Sequence, residues 1–104
     1  MFATIRRYES VDTDRTSELV KKVDEGLAPK LSELQGFRGY YLVDAGDGVM
    51  TSIGLFDTPE QADTSTDVAS RWIGAEQLHT ALPNAPKITR GEVLVEKTAE
   101  VVHA

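Results

Sequence analysis

The chain has 104 residues, 40% of them hydrophobic and 27% charged, and a chain of this size removes roughly 65% of its unfolded surface from water, which supports one modest core and leaves no room for a second domain. Seventeen acidic against eleven basic residues give a formal charge of −6 and a pI near 4.8, a field that repels phosphate backbones and anionic lipid and so speaks against nucleic acid and membranes as partners. With no cysteine, disulfides, thiolate metal sites and a cysteine nucleophile are excluded.

The N-terminus begins on a strand-like run, Phe2-Ala-Thr-Ile-Arg-Arg-Tyr8, without signal or transit character, and no apolar run is long enough to span a bilayer, so a cytoplasmic protein is expected. After a polar stretch ending in Asp14, a good N-cap, Leu19, Val23, Leu27, Leu31 and Leu34 recur at intervals of three and four and define one face of a helix. Pro29 cannot donate to the carbonyl of Glu25, so a kink or break is expected there. Gly36 ends the helix. Residues 37–44 and 49–57 then read as two strands joined through Ala45-Gly-Asp-Gly48 as a hairpin. Thr58, Pro59, Glu60 and Gln61 spell a capping box that opens a second helix, with Gly74 dividing it from a shorter helical piece over 76–82. Residues 87–98 return to strand character around Val93, Leu94 and Val95. The order is βαββαβ: a single α+β, ferredoxin-like domain over 1–104, with both helices on one face of an antiparallel sheet.

Successive strand residues point to opposite faces, and in these strands both faces are apolar. Strict alternation sets Phe2, Thr4, Arg6, Tyr8, Phe37, Tyr41, Ile53, Leu55, Val93 and Val95 against the helices. The opposite face then collects Ile5, Tyr40, Leu42, Met50, Phe56 and Leu94, a contiguous apolar patch whose natural cover is a second copy of the chain. A homodimer through that face is expected.

The strings Leu34-Gln-Gly-Phe-Arg-Gly-Tyr-Tyr41, Phe56-Asp-Thr-Pro-Glu-Gln-Ala62 and Ile88-Thr-Arg-Gly-Glu-Val93 resemble the antibiotic biosynthesis monooxygenase-type domains of the dimeric α/β-barrel superfamily. The resemblance spans essentially the whole chain, through motifs that are structural rather than catalytic. It implies a homodimer whose sheets pack into a barrel, and a pocket between each sheet and its own helices. Members include cofactor-free quinone-forming monooxygenases, haem-degrading monooxygenases, lactone isomerases and proteins with no known activity. The haem-degrading branch uses an Asn on the first strand with a Trp and a His on the second helix. Here Arg6 stands about where that Asn would be, and the only asparagine is Asn84, in a loop.

Arg6 and Tyr8 fall on the face expected to look toward the helices, with Tyr41 as a neighbour and Trp72 above. Together they would bind a flat, anionic or enolisable small molecule. The alternative is that the aromatics are core and Arg6 pairs with an acid at the sheet edge. His79 is the candidate general base, with a surface histidine as the alternative; the other histidine, His103, lies near the chain end. No metal-ligand spacing, phosphate cradle or nucleophile elbow is present, and no cofactor set is evident. Two functions follow: a cofactor-free monooxygenase or isomerase-like enzyme acting on a flat aromatic or enolisable metabolite, or a non-catalytic dimeric module that binds a small ligand.

Overall fold

The computed structural model describes residues 1–99. Its elements are β1 (Phe2–Tyr8), α1 (Thr16–Lys22), a π-helical segment (Val23–Leu27), α2 (Ala28–Ser32), β2 (Phe37–Gly46), β3 (Val49–Phe56), α3 (Pro59–Ala75) and β4 (Lys87–Glu92), with 3-10 turns at Thr13–Arg15 and Leu78–Thr80. The four strands are antiparallel in the order β2-β3-β1-β4. This is the ferredoxin-like arrangement, in which each helical connection steps over one strand.

The first helix runs through Pro29 without a break. The strain is taken up one turn earlier, where the Ala28 N–H donates to the Val23 carbonyl five residues back and the helix widens into a π turn. Asp14 does not cap it: Asp12 caps the 3-10 turn Thr13–Arg15 that leads in, accepting from the Asp14 N–H at 3.1 Å, and α1 itself starts after Arg15 without a side-chain cap. The capping box of α3 forms as expected: Gln61 N–H donates to Thr58 Oγ1 at 3.2 Å and Thr58 N–H to Gln61 Oε1 at 3.1 Å. Gly74 does not divide α3, which continues to Ala75; the chain turns instead at Gln77, whose φ is +55°. The β2–β3 hairpin closes through Asp47 and Gly48, both at positive φ, the primed turn that matches strand twist.

The division of the sheet faces is where strict alternation fails. In an antiparallel pair, residues directly opposite share a face, and Phe2 lies opposite Phe56, Arg6 opposite Ser52 and Tyr8 opposite Met50. The helix-facing set of β3 is therefore Met50, Ser52, Gly54 and Phe56, while Ile53 and Leu55 face outward with Ile5. In β2 the register slips between Phe37 and Gly39, which leaves Arg38 as a bulged extra residue. Beyond it the parity is reversed. Tyr40 and Leu42 turn toward the helices, packed on the core cluster of Leu19, Val23, Leu27, Leu31 and Trp72, and Tyr41 turns away, 59% exposed. Of the six residues expected on the bare face, Tyr40, Leu42, Met50 and Phe56 thus belong to the helix side, and only Ile5 lies on the outer face of the sheet. The outer face is instead built from Ile5, Tyr41, Val43, Ile53 and Leu55.

The last strand is shorter than the sequence suggests. Glu92 is opposite Phe2, the first residue of β1, and the Val93 N–H donates to the Met1 carbonyl just beyond that pair. Leu94 and Val95 follow the strand with 87% and 86% of their surface exposed.

Gly36 has φ +79°, and a Cβ there would overlap the Gln61 carboxamide that closes the capping box. Thr58→Ala should cost about 1 kcal/mol, the usual worth of an N-cap. Gly36→Ala should cost more, since it adds left-handed strain and dislodges Gln61. Urea denaturation of both variants checks the order, and an equal or smaller loss for Gly36→Ala would show that Gln61 is not held there.

Candidate functional site

Arg6 is the largest fully buried side chain of the protein, 2% exposed at the centre of the sheet. Its alternation with Thr4 and Tyr8 on β1 points it toward α3. The register brings Ser52 opposite, so that Arg6 Nε donates to Ser52 Oγ at 3.1 Å, and Nη1 reaches the Ser65 carbonyl of α3 at 3.4 Å. Both acceptors are neutral. Among the described residues no carboxylate lies within 4.0 Å of this guanidinium, whereas Arg7, Arg15, Arg38 and Arg90 each pair with an acid at the surface.

Around Arg6 the walls are aromatic and aliphatic. Tyr8 and Tyr40 flank it, and Met50, Leu19, Val23 and Leu27 complete an inner chamber of about 30 Å³ that Trp72 roofs. A space of that size holds about two waters and no aromatic ring. Trp72 is brought down by the π turn, for Gly26 sits so close that a Cβ would meet the indole Nε1 at 3.0 Å. Arg6, Tyr8, Ile73 and Leu82 also line a second, outer cleft of about 370 Å³, with Thr66, Ser70, His79, Ile88 and the loop Pro83–Pro86 around it. The far wall is fixed by Arg15 donating to Thr80 Oγ1, by Lys22 pairing with Glu76 at 3.7 Å and by Asn84 Nδ2 on the Glu9 carbonyl at 3.5 Å.

Burial raises the pKa of Tyr8 above the ordinary 10.0, against the opposing charge of Arg6. Tyr40 is raised in the same way, again mainly by burial and again opposed by Arg6. Both phenols are therefore neutral around pH 7 and present as hydrogen-bond donors.

Of the residues expected to form the site, Arg6, Tyr8 and Trp72 line the inner chamber, and His79 lines the outer cleft, which Arg6 and Tyr8 share and Trp72 does not. Tyr41 is absent from both spaces; the Arg38 bulge turns it outward and puts Tyr40 in its place. Tyr40, Ser52 and Ser65 were missed because nothing in their local sequence distinguishes them from interface or turn polar residues. His103 lies outside the described residues. Among the described residues no three His, Asp or Glu side chains converge as metal ligands. The inner chamber does not fit a haem, and Asn84 stands on the cleft rim rather than on β1.

No family model matches the sequence, and no curated protein matches it significantly. Solved structures do match. A protein of unknown function from Nitrosomonas europaea, NE2512, superposes with a TM-score of 0.75 at 18% identity, covering 96% of this chain and 95% of its own. The monooxygenase from the gene ActVA-Orf6 of Streptomyces coelicolor, solved in complex with nanaomycin D, gives 0.71 at 16% identity over 95% of this chain and 92% of its own. A dimeric ferredoxin-like protein from an uncultured marine organism gives 0.67 at 16% identity over 94% and 98%. Two further matches carry the provisional description of antibiotic biosynthesis monooxygenases. The class is thus defined by fold: a ferredoxin-like α+β protomer, similar in architecture to these solved proteins. At these identities the likeness speaks for the fold alone.

A phenol whose folded pKa lies above its unfolded value contributes stability that is fully present below the unfolded value and lost as pH rises through the folded one. Wild-type stability should therefore begin to fall above about pH 10, and the fall should be shallower in a Tyr8→Phe, Tyr40→Phe double variant. Denaturant titrations across that range check this; parallel losses in the two proteins would remove the buried phenols as the cause.

Proposed function

We propose that the chain is a cofactor-free monooxygenase or isomerase-like enzyme acting on a small flat aromatic or enolisable molecule, and that it works as a homodimer. The observation that carries the reading is the meeting of a buried cation, two protonated phenols and a tryptophan-roofed chamber at the floor of a cleft large enough for a ring system. Arg6 and Tyr8 orient the substrate, stabilising negative charge as it enolises, and His79 on the cleft wall takes the proton. In the oxygenase form an activated ring CH₂ reacts with dioxygen. One oxygen atom becomes the ring carbonyl, the other leaves with the two hydrogens as water, and the substrate supplies all four electrons that reduce the dioxygen. The fold likeness to the Streptomyces coelicolor monooxygenase supports this choice of chemistry.

Oxygen consumption with a dihydroxyanthrone tests it. One dioxygen should be consumed per carbonyl formed, without peroxide, and both Arg6→Ala and His79→Ala should lower the rate on the order of a hundredfold. No uptake above the spontaneous rate would sink the reading. Among the described residues His79 has no carboxylate within ion-pair distance, and this favours a second reading, a non-catalytic module that binds such a molecule. Stabilisation of the folded state against heat without turnover would select it.

The dimer rests on the outer face of the sheet, where Ile5, Tyr41, Val43, Ile53 and Leu55 form an apolar surface that no helix covers, and on the exposed Leu94 and Val95 beyond β4. One neighbour in fold is itself dimeric. Light scattering should return twice the protomer mass of 11.4 kDa, and Ile53→Lys, which sets a charge in that face, should return the protomer; a wild-type monomer at micromolar concentration rules the interface out.

A further inference from the structure

The reading above leaves open the charge of the molecule that the cleft takes, and Arg6 decides it. A guanidinium taken out of water without a counter-charge loses much of its solvation, and hydrogen bonds to neutral oxygens return only part of that. In a chain with seventeen acids and a net charge of −6, a structural arginine would have an acid within reach, as four of the other arginines do. Among the described residues, the one at the centre of the sheet has only Ser52 Oγ and the Ser65 carbonyl. These occupy two of its five N–H donors, and they fix the head group in place while supplying no negative charge.

Arg6 also lines both the inner chamber and the outer cleft. The side chains that share this position, Tyr8, Ile73 and Leu82, offer one protonated phenol and two aliphatic walls. Among the described residues no carboxylate lines either space to repel an anion or compete for the cation. A neutral ligand would leave the buried charge uncompensated. A dianion or a phosphate would bring a second charge into walls that, among the described residues, hold no second arginine and no lysine.

We propose that the cleft is a site for a flat organic monoanion, a carboxylate or an enolate, whose charged oxygen sits on the free N–H donors of Arg6 while its ring body lies in the outer cleft between Ile73, Leu82 and Ile88. This rests on the cleft being a small-molecule site, and it adds that recognition is by charge as well as by shape. The inner chamber is too small for the ring, so the body points outward toward His79 and the charged end inward.

Matched probe pairs separate the two ideas. Calorimetric titration of the wild type with naphthoate against its methyl ester, and with a hydroxynaphthoquinone ionised at neutral pH against its methyl ether, compares anion and neutral isostere of one shape. At least one anion should bind tenfold or more tightly than its neutral partner, and which pair does so tells carboxylate from enolate. Arg6→Gln should bring the anion down to the affinity of the neutral compound, and Arg6→Lys should keep a preference for the anion. Equal affinity of both members of each pair for the wild type, or a preference that survives in Arg6→Gln, overturns the monoanion site while leaving a small-molecule cleft intact. Failure of all four probes to bind overturns the cleft reading as well. If Arg6→Gln does not fold, the wild-type comparison and Arg6→Lys carry the same decision.

Discussion

A guanidinium enters the interior of a small protein only if its N–H groups meet acceptors there, and in this fold that requirement organises the centre of the sheet. Arg6 occupies the middle of β1, and its hydrogen bonds fix the residue opposite it on β3 as Ser52 and the helix passing above it at Ser65. The neighbouring positions are correspondingly small or polar. Gly54 lies against Thr4, with a Cβ there tight on the Thr4 methyl at 3.4 Å, and Thr4 Oγ1 reaches Thr66 of α3 at 3.4 Å. The helix-side face of the sheet is thus split into two apolar groups, Phe2 with Phe56 and Ala62 at one end, and the Tyr8, Met50 and Trp72 group at the other. The polar seam between them is where α3 crosses the sheet.

The chamber belongs to the second group and owes its roof to a compromise in the first helix. Pro29 denies that helix one regular hydrogen bond, and the chain answers with a π turn that ends where α2 begins. Gly26 lies in the turn and lets the Trp72 indole come against the backbone. Widened turns of this kind often occur at functional sites, since they shift side chains by a fraction of a turn without ending the helix. Here the effect is to set an aromatic side chain against the small chamber that Arg6 also lines.

Much of this was legible in the sequence. The element order, the Thr58–Gln61 box and the hairpin turn followed from local rules that depend on a few neighbouring residues, and those rules held. Arg6, Tyr8 and Trp72 were legible as a group because β1 alternates cleanly and its inward set is unambiguous. The faces of β2 and β3 were not. In β3 the outward set, Val49, Thr51, Ile53 and Leu55, looks more like a core face than the inward set with its Ser52 and Gly54, because the inward residues are chosen to fit Arg6 and Thr4 on another strand. In β2 the parity is changed by a bulge that only the pairing with β3 creates. Both errors arise from long-range register, which no local pattern encodes. The end of β4 is of the same kind, set by its pairing with β1.

The bulge at Arg38 has a consequence for how such a sheet can change over time. Because one extra residue decides which of two adjacent tyrosines looks inward, the gain or loss of a single codon near this point would exchange Tyr40 for Tyr41 and Leu42 for its outward neighbours in one step. Point substitutions could reach that result only through several poorly packed intermediates. Chains of this fold could therefore trade cavity lining for outer surface by a change in length rather than in composition. Aligning them residue by residue without regard to register would pair side chains that never occupy the same side of the sheet.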